Sequence, residues 1–195
     1  MDRRAEPTQL LRAVAWSPIW DAAREGQGME HLLLNARMAD SVLLAFDETG
    51  SPYRLSYRLR WDDARRVRSA RVHVVTETGE STLSLRSDGL GNWRDANRRE
   101  LVELRGAIDL DIWPTPFTNS LPIWRLGDSM RKRQRIEVVY IAAPQLNVAL
   151  MRQAYTRIGP GLYRFESIDS GFTADLPVDE DGVVLDYPGL FRRLG

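Results

Sequence analysis

Residues 53–61 read Tyr-Arg-Leu-Ser-Tyr-Arg-Leu-Arg-Trp, and their strict alternation decides the fold class. Every second side chain from Tyr53 to Trp61 is aliphatic or aromatic, whereas those between are arginine or serine. Because successive side chains of a β-strand point to opposite faces, the pattern predicts a strand with one buried and one solvated face. Residues 82–86 and 136–140 alternate in the same way.

Short turn motifs separate the strand-like runs. They are 48–51 (ETGS), 77–80 (ETGE), 88–89 (DG), 159–161 (GPG) and 181–182 (DG). No segment sustains a helical period, and only 18–24 and 97–105 are compatible with short helical turns. We therefore predict a mainly β fold: one domain over residues 1–195, an antiparallel sheet rolled upon itself with at most short helical turns.

The amino-acid composition excludes several classes of function. The 195 residues include 27 basic and 27 acidic ones, so no global field favours nucleic acid as a partner. The absence of cysteine excludes disulfides, a thiol nucleophile and thiolate zinc sites. His31 and His73 have no partner at metal-ligand spacing, so we predict neither metal nor cofactor. With no signal peptide or membrane-length apolar run visible, we predict a cytoplasmic protein without stable membrane insertion.

Two acids in the segment 108–126 are candidate functional groups. Asp109 and Asp111 alternate with apolar residues, so a strand would place both carboxylates on one face. Such a pair could supply the acid and the base of glycoside hydrolysis. Alternatively, Arg125 could neutralise one of them in a buried ion pair, which is a structural role.

Three prolines, at positions 114, 116 and 122, follow the acids. Proline removes an amide donor and favours extended geometry in the residue before it. We therefore predict a stiff, extended ribbon that displays Thr115, Thr118 and Asn119 to a polar ligand with an apolar portion. The alternative is that these side chains only satisfy backbone groups of a loop.

Large rings are frequent in strand-like settings. Such rings stack on sugars and cover acyl chains, although many fill β cores. They are Trp16, Tyr57, Trp61, Trp93, Trp113, Phe117, Trp124, Tyr140 and Tyr155.

An ordered set of motifs resembles the bacterial family once labelled a domain of unknown function and now called putative glycolipid-binding. The motifs are Trp16, 28–32 (GMEHL), 53–57 (YRLSY), 88–93 (DGLGNW), 104–111 (LRGAIDLD), 115–122 (TPFTNSLP), 153–156 (QAYT) and 179–188 (DEDGVVLDYP). The resemblance implies a spiral β-roll similar to bacterial lipoprotein carriers. The family often has Cys where Ala107 stands and Arg where Trp124 stands.

These observations favour a non-catalytic binding protein for an amphiphile, in particular a lipid or glycolipid. Polar side chains of the ribbon would bind the head group, and rings would form the wall. The candidate binding residues are Asp109, Asp111, Thr115, Phe117, Thr118, Asn119, Arg125, Tyr57, Trp93 and Tyr155. One alternative is a structural or protein-interaction module whose fold the ribbon stabilises. Another is a glycan-directed hydrolase or lyase that uses Asp109 and Asp111.

Overall fold

The computed structural model describes residues 12–21 and 26–195, and strands dominate this part of the chain. The strands are β1 (Arg12–Pro18), β2 (Met29–Leu34), β3 (Met38–Phe46), β4 (Pro52–Trp61), β5 (Val67–Thr76), β6 (Gly79–Ser87), β7 (Trp93–Arg94), β8 (Asp109–Trp113), β9 (Gln134–Ala142), β10 (Asn147–Gly159), β11 (Leu162–Ser167), β12 (Thr173–Pro177) and β13 (Phe191–Leu194). Within these described residues, one short α-helix, α1 (Ser120–Leu126), is accompanied by 3-10 helices at Val102–Leu104, Phe117–Asn119 and Gly127–Arg131.

The strands form two sheets. Sheet A has eight strands in the order β13-β1-β2-β3-β4-β5-β6-β7, and sheet B has five in the order β12-β11-β10-β9-β8. Neighbouring strands are antiparallel, except that β8 and β9 run parallel. Residues 114–133 connect those two strands, which is long enough for the crossover that parallel pairing needs.

A contiguous hydrophobic core joins the facing sides of the sheets. Leu43, Leu55 and Leu85 contribute from sheet A, and Val139 and Ile141 from sheet B. Each is essentially inaccessible to water, and burial of such a side chain contributes about 1.5–3 kcal/mol. The core therefore holds the two sheets together.

The prediction of a mainly β, rolled antiparallel fold is confirmed. Segment 53–61 lies in β4 with alternating buried and exposed residues, and 82–86 and 136–140 lie in β6 and β9. Segment 97–105 contains the 3-10 helix Val102–Leu104. The predicted turn at 18–24 lies partly outside the described residues.

The prediction of an extended ribbon after Trp113 is wrong. Pro116 has helical torsions, φ −76° and ψ −24°, and it leads into the 3-10 helix Phe117–Asn119 and then α1. Pro122 is the third residue of α1. The physical reason is that the φ fixed by proline suits a first helical turn, where the missing amide has no acceptor to lose.

Candidate functional site

Residues 115–119, here called the bridging segment, lie between the two sheets. All five residues are buried, and the 3-10 helix orients their side chains in opposite directions. Thr115 contacts polar groups of sheet A, whereas Thr118 and Asn119 contact groups of sheet B. The sequence predicted that the polar side chains of this segment are displayed to a ligand, whereas in the structure they point into the protein.

A buried carboxylate of sheet A anchors the first half of the bridging segment. Oε1 of Glu30 accepts hydrogen bonds from the hydroxyls of Ser41 (2.8 Å), Tyr57 (2.6 Å) and Thr115 (2.9 Å). Glu30 lies on β2, Ser41 on β3 and Tyr57 on β4, so three adjacent strands converge on one oxygen. Thr115 also accepts a hydrogen bond from the amide of Phe117.

Glu30 combines full burial with an unusual pKa. Burial raises the pKa of its carboxyl from about 4.5 to about 7, although the three hydroxyl donors lower it in part. Its second oxygen, Oε2, has no hydrogen-bond partner among the described residues. Near neutral pH, both the protonated and the ionised forms of this side chain are therefore populated.

Sequence reasoning did not select Glu30 as a candidate, although a signal was available. Glu30 is in phase with Leu32 and Leu34, and all three are buried on one face of β2. An acid at an apolar position of an alternating strand is a buried charge, which requires donors around it.

A second buried network joins the bridging segment to sheet B. Thr118 donates to Oδ1 of Asp111 (2.7 Å), and the amide of Gln153 donates to Oδ2 (2.6 Å). The hydroxyl of Tyr155 lies 2.9 Å from Oδ1 of Asn119 and 3.2 Å from Oε1 of Gln153. Burial raises the pKa of Asp111, while the bonds from Thr118 and Gln153 oppose that change.

Asp109 and Arg125 form a buried ion pair, as one of the alternative interpretations of the sequence anticipated. Nε of Arg125 lies 2.9 Å from Oδ1 and 3.1 Å from Oδ2 of Asp109, and a terminal nitrogen adds a further bond. The Asp109 side chain is inaccessible, and the Arg125 side chain is only 16% exposed. Arg125 thus satisfies both oxygens of the acid.

The two remaining candidates, Trp93 and Phe117, are core residues. The indole of Trp93 donates to the carbonyl of Ala107 (2.7 Å), and Phe117 packs against Trp61 and Trp124. All ten candidates except Asp111 and Arg125 are at most 3% exposed. Their direct contact with a ligand stays a prediction, because most of them satisfy one another inside the protein.

An open cleft of about 750 Å³ lies at one end of the sheets, and we call it the aromatic cleft. Its volume is within the range of about 300–1,000 Å³ that small-molecule sites occupy. Rings from both sheets and from the segment after β1 line it, together with apolar and acidic residues. The rings are Trp20, Phe46, Tyr53, Trp113 and Tyr140, the apolar residues include Ala142, Ala143, Pro144 and Leu190, and the acids are Asp21, Asp47 and Glu48.

The chemistry of the aromatic cleft is amphipathic. The rings of Trp20 and Trp113 are 5.7 Å apart and tilted by 43°, so together they form a continuous apolar surface. Burial and the charge of Asp111 raise the pKa of Tyr140 to about 12, so its phenol stays a hydrogen-bond donor. Hydrogen bonds from Thr49 and Ser51 lower the pKa of Asp47, which therefore stays a carboxylate.

Trp113 and Tyr140 connect the cleft to the predicted site. Trp113 ends the strand that carries Asp109 and Asp111, and Tyr140 lies opposite Asp111 in the β8–β9 pair. Of the cleft residues, sequence reasoning had identified only Trp113 and Tyr140 as possible ligand contacts, as members of the aromatic set. The cleft forms between segments distant in sequence, so alternation within one strand could not reveal it.

The residues that the structure describes contain neither a metal-binding cluster nor a membrane-spanning helix. No group of three or more His, Cys, Asp or Glu side chains there is arranged to hold a metal ion. In the same part of the chain, no helix has the length and apolar character needed to cross a membrane.

Comparisons with known proteins agree on one family. The model of a family described as "Putative glycolipid-binding" matches residues 17–193. A crystal structure of a DUF1089 family protein from Pseudomonas aeruginosa is 48% identical in sequence, with a TM-score of 0.83. That match covers 86% of this chain and 92% of the other. A comparison with curated proteins gives no significant match.

Proposed function

The chain belongs to the family described as "Putative glycolipid-binding", and from this premise we propose that it binds an amphiphile of the glycolipid class without catalysing a reaction. The observation that carries the proposal is the aromatic cleft, which is lined by aromatic, apolar and acidic residues. Aromatic faces stack on sugar rings and cover alkyl chains, and carboxylates accept hydrogen bonds from sugar hydroxyls.

In this proposal the sugar lies at the rim and the alkyl portion lies deeper. Trp20 and Trp113 provide the stacking surface, and Asp47 and Glu48 accept hydrogen bonds from the head group. The alkyl chain contacts the apolar wall formed by Ala142, Ala143, Pro144 and Leu190. The buried networks behind Trp113 and Tyr140 hold this wall in place.

Hydrolysis through Asp109 and Asp111 has less support. Arg125 occupies both oxygens of Asp109, which is inaccessible to water. Thr118 and Gln153 occupy the oxygens of Asp111. A general acid or base must reach the proton that it transfers, and neither carboxylate has an oxygen without a hydrogen-bond donor.

The structural alternative rests on a specific observation, the bridging segment. Its hydrogen bonds to Glu30, Asp111 and Tyr155 join two sheets, which is what a stabilising element would do. This role is compatible with ligand binding in the aromatic cleft, because different side chains carry the two roles.

The test is a titration with n-octyl glucoside below its micelle concentration, followed by tryptophan fluorescence. We expect a saturable change with octyl glucoside and a much weaker change with glucose or octanol alone. Trp20→Ala should weaken binding about tenfold, since a lost aromatic contact is worth about 0.5–1.5 kcal/mol beyond its buried area. Trp124→Ala is the matched control, because Trp124 is also partly buried but does not line the cleft.

Absence of saturable binding, or equal weakening by Trp124→Ala, would refute the proposal. A complementary measurement is native mass spectrometry of the protein purified from its own cells, with extraction of bound lipid. A co-purifying glycolipid that Trp20→Ala removes would support the assignment of the cleft.

A further inference from the structure

The solvent-facing side of sheet A carries a concentration of arginine. Six exposed arginines point outward from strands β4 to β7, and we call them the arginine face. They are Arg54, Arg58, Arg60, Arg71, Arg86 and Arg94. Strands in a sheet are about 4.8 Å apart, so the arginine face spans about 14 Å across four strands. This local charge is not apparent from a net charge of zero.

Most of this positive charge is not neutralised within the protein. Arg58 pairs with Asp40 and Arg94 pairs with Glu100. The side chains of the other four arginines make no hydrogen bond or ion pair with any residue that the structure describes. The acid Glu80, on the same face, contacts His73 instead.

The strand register brings like charges together. Arg58 lies directly opposite Arg71, and Arg86 lies directly opposite Arg94. Directly opposed like charges destabilise a sheet, and in each pair one arginine, Arg71 or Arg86, has no acidic partner of its own among the described residues. A partner with a dense array of negative charges would relieve this repulsion.

An apolar patch adjoins the arginine face on the same side of sheet A. Met29, Val42 and Leu44 are 45%, 41% and 52% exposed. Leu44 lies opposite Met29 on one side and Arg54 on the other, so the apolar and basic side chains are contiguous. Leu44 is two residues before Phe46, which lines the aromatic cleft.

We propose that this face of sheet A docks on an anionic lipid surface. The arginines contact lipid phosphates, and Met29, Val42 and Leu44 enter the interfacial layer. Docking brings the end of sheet A that carries the aromatic cleft close to the lipids. Single-stranded nucleic acid fits less well, because the outward positions of β4 to β6 are Arg, Ser, Thr, His, Val and Glu, so His73 offers the one aromatic ring there for base stacking.

Vesicle flotation tests the proposal. We expect the protein to float with vesicles of phosphatidylcholine and phosphatidylglycerol at low salt, and not with phosphatidylcholine alone. High salt should release it, because added ions screen the attraction. This docking needs no ligand in the aromatic cleft, so flotation and octyl glucoside binding fail or succeed separately.

Two double variants, each of which removes two positive charges, test whether the arginine face is the docking surface. Arg60→Gln/Arg86→Gln should reduce partitioning roughly 25-fold, since each basic residue near such a membrane contributes roughly fivefold. Arg105→Gln/Arg135→Gln is the control, because both arginines are exposed elsewhere. Leu44→Gln should also weaken flotation, whereas Leu90→Gln, at a side chain 70% exposed, should not. Unchanged melting temperatures will show that all variants are folded.

Three outcomes would overturn the proposal. The first is failure of the wild-type chain to float with phosphatidylglycerol vesicles at low salt. The second is equal loss in the control pair, which would mean that total charge alone matters. The third is that the protein does not bind vesicles but binds a single-stranded RNA oligonucleotide through Arg60 and Arg86.

Discussion

Oγ1 of Thr115 lies 2.9 Å from Oε1 of Glu30, although 85 residues separate them in the chain. Only three residues later, Thr118 donates to Asp111 of the other sheet. One short segment therefore donates a hydrogen bond to a carboxylate of each sheet. Because a buried polar group that loses its partner is costly, substitutions in this segment should affect stability strongly.

Thr115→Val should destabilise the protein by about 1–3 kcal/mol, since it removes a donor to Glu30 and an acceptor for the amide of Phe117. Urea unfolding measures the change. Thr82→Val is the matched control, because Thr82 is exposed on β6 and should change stability by no more than about 0.5 kcal/mol. Equal effects of the two substitutions would contradict the role assigned to Thr115.

Asn119→Ala should lower the melting temperature by several degrees. The substitution removes the acceptor of the Tyr155 hydroxyl, and in a protein of this size each kcal/mol corresponds to about 2–4 °C. Asn147→Ala, at an exposed position of β10, is the control in the same thermal melt. An unchanged melting temperature would instead favour a role for Asn119 in ligand binding.

Glu30 should make stability depend on pH. Its pKa is about 7 in the folded protein and about 4.5 as a free side chain, so the folded state holds the proton more tightly. The resulting stabilisation is fully present below pH 4.5 and is lost as the pH rises through 7. A shift of this size corresponds to about 3 kcal/mol.

Glu30→Gln should remove this contribution, because glutamine retains an acceptor oxygen but does not ionise. We expect the difference in unfolding free energy between pH 5 and pH 8 to be smaller in the variant by about 2.5 kcal/mol, because this window contains most of the shift. Comparing the two proteins cancels the contributions of Asp109 and Asp111, whose pKa values are also raised. Parallel pH profiles would show that Glu30 does not titrate in this range.

Arg125→Met should destabilise the protein by about 3–5 kcal/mol, because it leaves the inaccessible Asp109 without its partner. The double variant Asp109→Leu/Arg125→Met should be less destabilised, since it also removes the buried charge. Unfolding free energies of both single variants and the double variant, measured with urea, form a double-mutant cycle that gives the coupling energy between the two side chains. Additive effects would argue against coupling between the two side chains.

The strand pattern was predictable where one face of a strand is buried. The alternation in residues 53–61 translates directly into β4, because burial selects every second side chain. The division into two sheets and the parallel pairing of β8 with β9 were not predictable, because they depend on contacts between distant segments. The helical path of the bridging segment was missed because proline fits both an extended chain and a first helical turn.

The chemistry of the site was only partly predictable. The Asp109–Arg125 pair was anticipated as an alternative, because an acid in a strand needs a cation when buried. The sequence did not predict that Ser41, Tyr57 and Thr115 all donate to Glu30. That arrangement requires three neighbouring strands and a loop to meet. Alternation indicates which way a side chain points, but not which side chain it meets.

The uneven distribution of charge on sheet A affects how the protein binds to a charged chromatography resin. The six arginines of the arginine face lie on the outward side of this sheet, while Asp47 and Glu48 line the cleft at one end. Positive charge is therefore concentrated locally, although the chain has equal numbers of positive and negative residues. On a cation-exchange column near its isoelectric point, close to pH 6.8, the protein should be retained through one side despite carrying no net charge.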